Sequence, residues 1–140
     1  MALMLALMEP TPENEEEFND WYDTEHFPER DGCPGFVTAA RLVCVEGWPR
    51  YGALYDLSSI DVLHQAEYLS FAGKRPWSQR VVSKVRGFLR WTGVQISPGS
   101  ALTGGRGKAS RIAVVRFAGL PERLTAELSE RFETITAKRR

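Results

Sequence analysis

The sequence predicts a single α+β domain whose elements run β-α-β-β-α-β. Three observations carry this reading: an apolar opening run at residues 1–8, an amphipathic helical pattern closed by Pro28, and three later runs of β-branched and aromatic residues at 36–45, 51–57 and 87–96 with a helical stretch before the last. Periodicity of this kind separates helix from strand. At 140 residues the chain can bury one ordinary core and is too short for two independent ones.

Each element has a local cause. Met1-Ala2-Leu3-Met4-Leu5-Ala6-Leu7-Met8 lacks the basic start of a secretory signal and leads directly into Glu9-Pro10, so it reads as a buried strand. Thr11 can cap a helix, Pro12 suits its first position, and Glu13, Glu15, Glu16 and Glu17 lie at the positive end of its dipole. That helix is expected to end near Phe27, because Pro28 disfavours helical geometry in the residue before it. A turn at Gly32-Cys33-Pro34-Gly35 precedes the strand at 36–45, and Gly47-Trp48-Pro49 separates it from the strand at 51–57. Ser58-Ser59-Ile60-Asp61 starts a second helical region extending through Phe71; Gly73 to Pro76 interrupts it, and Trp77 to Val85 resumes it with Val81, Val82 and Val85 at helical spacing.

The order is that of a ferredoxin-like domain: an antiparallel sheet with helices on one face. The other face then needs a cover, usually a second copy's sheet, which predicts a homodimer. The domain spans residues 1–97. Residues 98–110, with Gly104, Gly105 and Gly107, have linker composition, and no Lys-Ser/Thr pair follows to make them a phosphate loop. Residues 111–140 read as a βα extension, a strand at 112–117 and a helix at 121–138, like a second repeat that is not completed.

Eighteen basic residues balance eighteen acidic ones, which argues against nucleic acid or an anionic membrane as partner. No stretch reaches the roughly 20 apolar residues of a membrane-spanning helix. Cys33 and Cys44 are too few for a disulfide framework and lack metal-ligand spacing, so a reduced, cytoplasmic protein is expected.

The chemistry concentrates in the first helix. At 100° per residue, Phe18, Trp21, Tyr22 and Glu25 share one face and His26 flanks it. A carboxylate at a core position must be hydrogen-bonded, paired or protonated. Tyr22 and His26 are candidate partners for Glu25, and Arg30 or Arg41 are candidates for an ion pair. The functional reading is a proton-transfer group facing a pocket; the plain one is a helix end fastened to the next turn. His26, at the helix's C-terminal end, is expected to have its cation favoured by the dipole. A metal site from His26, His64 and Glu25 or Glu67 would lack the usual i, i+3 or i, i+4 pairs, so no metal is expected. The aromatics Trp21, Tyr22, Tyr51, Tyr55, Tyr68, Phe71, Trp77, Phe88 and Trp91 fall on elements that face each other and would line a cavity suited to a flat, hydrophobic small molecule; Trp21, Tyr51, Tyr55 and Trp77, with His64, are the expected substrate contacts. No Gly-x-Ser-x-Gly elbow or cysteine nucleophile signature is present.

The run Phe18-Asn19-Asp20-Trp21-Tyr22-Asp23-Thr24-Glu25-His26-Phe27-Pro28-Glu29-Arg30, with Pro34-Gly35-Phe36, the basic strand residue Arg41, the 51–57 strand and Pro76-Trp77, resembles EthD-type proteins of the dimeric α/β-barrel superfamily. The resemblance covers about residues 2–96. It implies a dimer whose sheets form a barrel, and a pocket between helices and sheet bordered by the position of His26. The superfamily's activities range over cofactor-free monooxygenases, lactone isomerases, polyketide cyclases, dehydratases and haem-degrading enzymes, so fold does not choose among them.

The expected function is that of a cofactor-independent enzyme of lyase, isomerase or cyclase type acting on a small hydrophobic oxygenated or aromatic metabolite. His26 would serve as general base or acid, Glu25 would orient it, and Tyr22 would donate to a developing oxyanion. A non-catalytic small-molecule-binding or accessory dimer is the second reading, and a haem- or metal-dependent monooxygenase the third.

Overall fold

Four strands form one antiparallel sheet in the computed structural model: β1 (Ala2–Pro10), β2 (Phe36–Val43), β3 (Tyr51–Leu57) and β4 (Val85–Val94), in the spatial order β2-β3-β1-β4. The structure describes residues 1–97, 100, 102–103 and 111–137. Helices α1 (Glu15–Trp21), α2 (Phe27–Asp31), α3 (Ala66–Phe71) and α4 (Pro76–Val82) cover one face of the sheet, and α5 (Glu122–Ala137) follows separately. This is the ferredoxin-like βαββαβ order expected from the sequence. Of the stretch expected as a linker, residues 98–99, 101 and 104–110 lie outside the described residues, as do the last three residues of the chain.

Strand alternation divides the sheet's residues cleanly. Ala2, Met4, Ala6 and Met8 of β1 and Ala53, Tyr55 and Leu57 of β3 point to the helices and join Phe18, Trp21, Tyr22, Leu63, Tyr68 and Val81 in the core. The intervening residues, among them Leu5 and Leu54, take the opposite face. On β4 this pattern leaves Phe88, Arg90 and Thr92 on the helix side yet exposed. The short helices do not reach over this edge strand, and a cavity opens there.

The first helix does not end at Phe27. It widens into a π-helical turn over Tyr22–His26, closed by a bond from the Phe27 N–H to the Tyr22 carbonyl, and continues through Pro28 to Asp31 as α2. Proline has no N–H for the Thr24 carbonyl, and its ring would press on that carbonyl in a regular helix; the wider turn relieves both problems. The second helical region is also subdivided. A 3-10 segment at Ile60–His64, capped by Ser59 through its side chain, is separated from α3 by extended backbone at Gln65.

The expected strand at 112–117 does not form, whereas its helix does, as α5. Residues of this segment lie across the outer face of the sheet, with the Arg116 guanidinium 5.3 Å from the Trp91 ring centroid, rather than alongside a sheet edge. Without an edge to pair with, a β-branched run has no ladder to join. No helix among the described residues is long and apolar enough to cross a membrane. Both cysteines are free.

Candidate functional site

The π turn decides which side chains meet the cavity. Residues advance by less than 100° each in a wider turn, so from Tyr22 onward the face rotates against a regular wheel. His26 is thereby brought onto the buried side, 8% exposed, and Glu25 moves to its margin. This reverses the arrangement expected from the wheel, where Glu25 faced the core and His26 flanked it. Glu25 accepts a hydrogen bond from Ser78 Oγ at 3.2 Å, and Ser78 Oγ in turn accepts from Trp21 Nε1 at 3.0 Å. It forms no ion pair with Arg30 or Arg41, which engage Glu29 and Asp23 instead.

His26 is packed between aromatic rings, with centroids 4.2 Å from Trp21 and 4.8 Å from Tyr22. Its Nδ1 is buried with no hydrogen-bond partner among the described residues. Burial first, and then the nearby Arg30 and Arg41 cations, hold its pKa down at about 2, so the ring is neutral at physiological pH. The expected dipole-favoured cation is therefore corrected. His26 is not at a helix end, since α2 continues beyond it, and desolvation outweighs the dipole, whose effect on exposed groups is about 0.3–1 kcal/mol.

The cavity beside this ring has a volume of about 740 Å³, within the range of small-molecule sites. Trp21, His26 and His64 line it, as do Arg30 from α2, Tyr68 from α3, Ser78 and Val82 from α4, and Phe88, Arg90 and Thr92 from β4. His64 is exposed and belongs to the mouth of the cavity.

The other residues singled out in the sequence lie elsewhere. Tyr22 and Tyr55 share a hydrogen bond between their hydroxyls, 3.3 Å, and burial raises both phenols well above their ordinary pKa. The Arg41 guanidinium covers the Tyr22 ring at 4.5 Å. Tyr51 donates to Glu15 Oε1 at 2.7 Å and Trp77 Nε1 donates to Glu17 Oε1 at 3.2 Å, both half-buried against the core. None of these four, nor Glu25, is among the cavity's lining residues. No group of three His, Cys, Asp or Glu side chains among the described residues is placed to hold a metal ion, so His26, His64, Glu25 and Glu67 do not assemble as one.

Tyr68 and Phe88, two of the aromatics expected at a cavity, do line it, whereas Ser78, Arg90 and Thr92 are not among the expected site residues. A signal existed for the last two: Phe88, Arg90 and Thr92 alternate along one strand, so they share a face. Reading that face as a cavity wall requires knowing that no helix covers it.

The fold recurs among solved structures. HapK from Hahella chejuensis is matched with 10% identity and a TM-score of 0.52, over 73% of this chain and 99% of that one. A putative antibiotic biosynthesis monooxygenase from Bordetella bronchiseptica is matched with 17% identity and a TM-score of 0.52, over 68% and 96%. At these identities the likeness shows the fold alone: the chain is a ferredoxin-like α+β protein. An ethyl tert-butyl ether D (EthD) family protein from Bacillus halodurans is matched more loosely, with 17% identity and a TM-score of 0.48 over 69% and 100%, and the EthD resemblance rests on the residues that carry it. No family model and no curated protein matches the chain.

Proposed function

We propose that the cavity is the active site of a cofactor-independent enzyme of lyase, isomerase or cyclase type, in which neutral His26 moves a proton on a small, largely hydrophobic, oxygenated or aromatic metabolite. The observation that carries this is a buried, neutral imidazole among the residues that line a mainly apolar cavity. A proton taken from a C–H or O–H of the substrate leaves an enolate or oxyanion, and the imidazolium forms together with that anion. The net charge of the cavity is unchanged by the transfer, and Arg30, a further lining residue, favours the anion. The Arg30 and Arg41 cations that disfavour a protonated His26 are thus offset only when a negative charge appears beside it.

In this reading Trp21 and His64 contact the substrate, Trp21 and Tyr22 fix the imidazole plane, and Glu25 braces the wall through Ser78. Tyr55, Tyr51 and Trp77 support the helix layer from outside the cavity. The test is conversion, followed by mass spectrometry, of a panel of small aromatic acids and lactones. His26→Gln should lower turnover by about 100-fold or more with the fold retained. Turnover unchanged by His26→Gln contradicts the assignment, and binding without conversion by the native chain favours the non-catalytic reading.

The functional unit is proposed to be a homodimer closed through the sheet's outer face, with the second copy packing over or displacing the 111–117 segment that lies against Leu7 and Trp91 there. Light scattering should give the mass of two chains; the mass of one chain at micromolar concentration would contradict it.

A further inference from the structure

The cavity is one-sided in charge. Among the described residues, Arg30 and Arg90 are the arginines that line it, and no carboxylate does. Arg30 is only 6% exposed. Among the described residues its guanidinium donates one hydrogen bond, from Nη1 to the His26 carbonyl at 3.1 Å. The carboxylate paired with it, Glu29, stands 3.8 Å from Nη1, beyond hydrogen-bond length, and holds Arg75 Nε at 2.8 Å with its other oxygen. A guanidinium carries five N–H donors in a planar fork, so donors beyond the one bonded to the His26 carbonyl remain for a group that enters the cavity.

The two arginines flank one aromatic pair. The Arg30 guanidinium is 5.5 Å from the Phe71 ring centroid, Phe71 and Tyr68 meet edge to face at 5.6 Å, and the Arg90 guanidinium is 5.9 Å from the Tyr68 ring. Arg90 is exposed and belongs to the open side at β4, whereas Arg30 belongs to the interior beside His26. Met8, Leu63, Leu69, Val82 and Phe88 supply an apolar lining for the remainder. A group that satisfies this arrangement has one planar anionic end matched to a guanidinium fork and an apolar body.

We propose that the cavity takes a small monocarboxylate with an apolar or aromatic body, its carboxylate held by Arg30 and attracted at the mouth by Arg90. This rests on the cavity being the functional site, and it narrows the substrate class of that site. The carboxylate fixes one end of the molecule beside His26, which is a requirement for proton transfer at a neighbouring carbon or oxygen.

The experiment is calorimetric titration of the full chain at low salt with benzoate, phenylacetate and salicylate, each paired with its methyl ester. The acids should bind about tenfold or more tightly than the esters, because the ester leaves the guanidinium without an anionic partner. Arg30→Met should abolish that preference while leaving ester affinity in place, and Arg90→Gln, at an exposed position, should weaken the acids by about threefold. His26→Gln should keep the preference for acids. Esters bound as tightly as acids, an Arg30→Met chain that still prefers acids, or no acid bound at millimolar concentration overturns the proposal. A failed catalytic reading shows itself differently, as acids that bind with the expected preference and are never converted.

Discussion

Replacing Trp21 with alanine should lower the unfolding free energy by about 3–5 kcal/mol, the usual cost of truncating a buried aromatic side chain. Trp21 is fully buried and packs against the rings of Phe18, Tyr22 and His26, with centroids at 5.9, 5.2 and 4.2 Å. Truncation removes this apolar contact and leaves a void between α1 and the sheet, which the surrounding rings can fill only in part. It also removes the donor to buried Ser78, whose hydroxyl links Trp21 to Glu25. Against a typical domain stability of about 5–15 kcal/mol the loss is large. Urea denaturation checks it. Trp21→Phe retains most of the volume and should cost less than half as much, so a similar loss from both variants would mean that the hydrogen bond to Ser78, not packing, dominates.

Acidification should destabilise the protein at a pH where its carboxylates are still ionised. His26 has a folded pKa of about 2 and an ordinary value of 6.5, so below 6.5 the unfolded chain binds a proton that the folded chain refuses. Stability from this group is therefore complete above 6.5 and falls as pH decreases, by about 1.4 kcal/mol per pH unit, or about 2 kcal/mol at pH 5. The groups facing the ring reinforce the sign: Arg30 and Arg41 are cations, and the Tyr22 phenol is neutral. Glu15, bonded by the Tyr51 hydroxyl and Arg50, and Glu17, bonded by Lys84 and Arg80, are held below the ordinary 4.5, so their contribution is lost only at lower pH. The urea midpoint should thus fall between pH 7 and pH 5 for the native chain and stay nearly flat over that interval for His26→Gln. Equal slopes for the two chains would place the acid sensitivity elsewhere.

The order of strands and helices was legible because each depends on local signals: a β-branched run at 36–45, an apolar and aromatic run at 51–57, Pro12 and the acids before Phe18, and the Gly-Pro turns between them, although Thr11 makes no side-chain cap. The sheet's alternation was legible for the same reason, since a period of two is fixed by the backbone. The register of the first helix was not. A wheel at 100° per residue assumes a regular helix, and Pro28 changes the turn that precedes it, which exchanges the places of Glu25 and His26. The protonation state of His26 was misjudged in consequence. A residue expected at a helix terminus gains from the dipole, whereas one buried among rings and near two arginines pays the full desolvation cost.

The cavity itself was legible only in fragments. Its aromatic content was foreseen, but Tyr22 and Tyr55 satisfy each other's hydroxyls inside the core, and Tyr51 and Trp77, half-buried against the core, reach acidic partners. The part of the wall that the sequence hid is Arg90 and Thr92 beside Phe88, since exposure of a strand face depends on where distant helices stop. The run at 112–117 shows the complementary limit: strand composition describes a residue's preference, and pairing needs an edge that the segment, lying across the sheet, does not meet.

The central claim, a neutral His26 serving the cavity, is tested most directly by the ¹⁵N chemical shifts of its imidazole nitrogens, recorded by NMR on uniformly labelled full-length protein from pH 7.5 to 5, with His26→Gln used for assignment. A neutral ring at pH 5, with shifts that change when benzoate is added, is the expected result. A ring that becomes doubly protonated near pH 6.5, or whose shifts do not respond to the carboxylate, would contradict it.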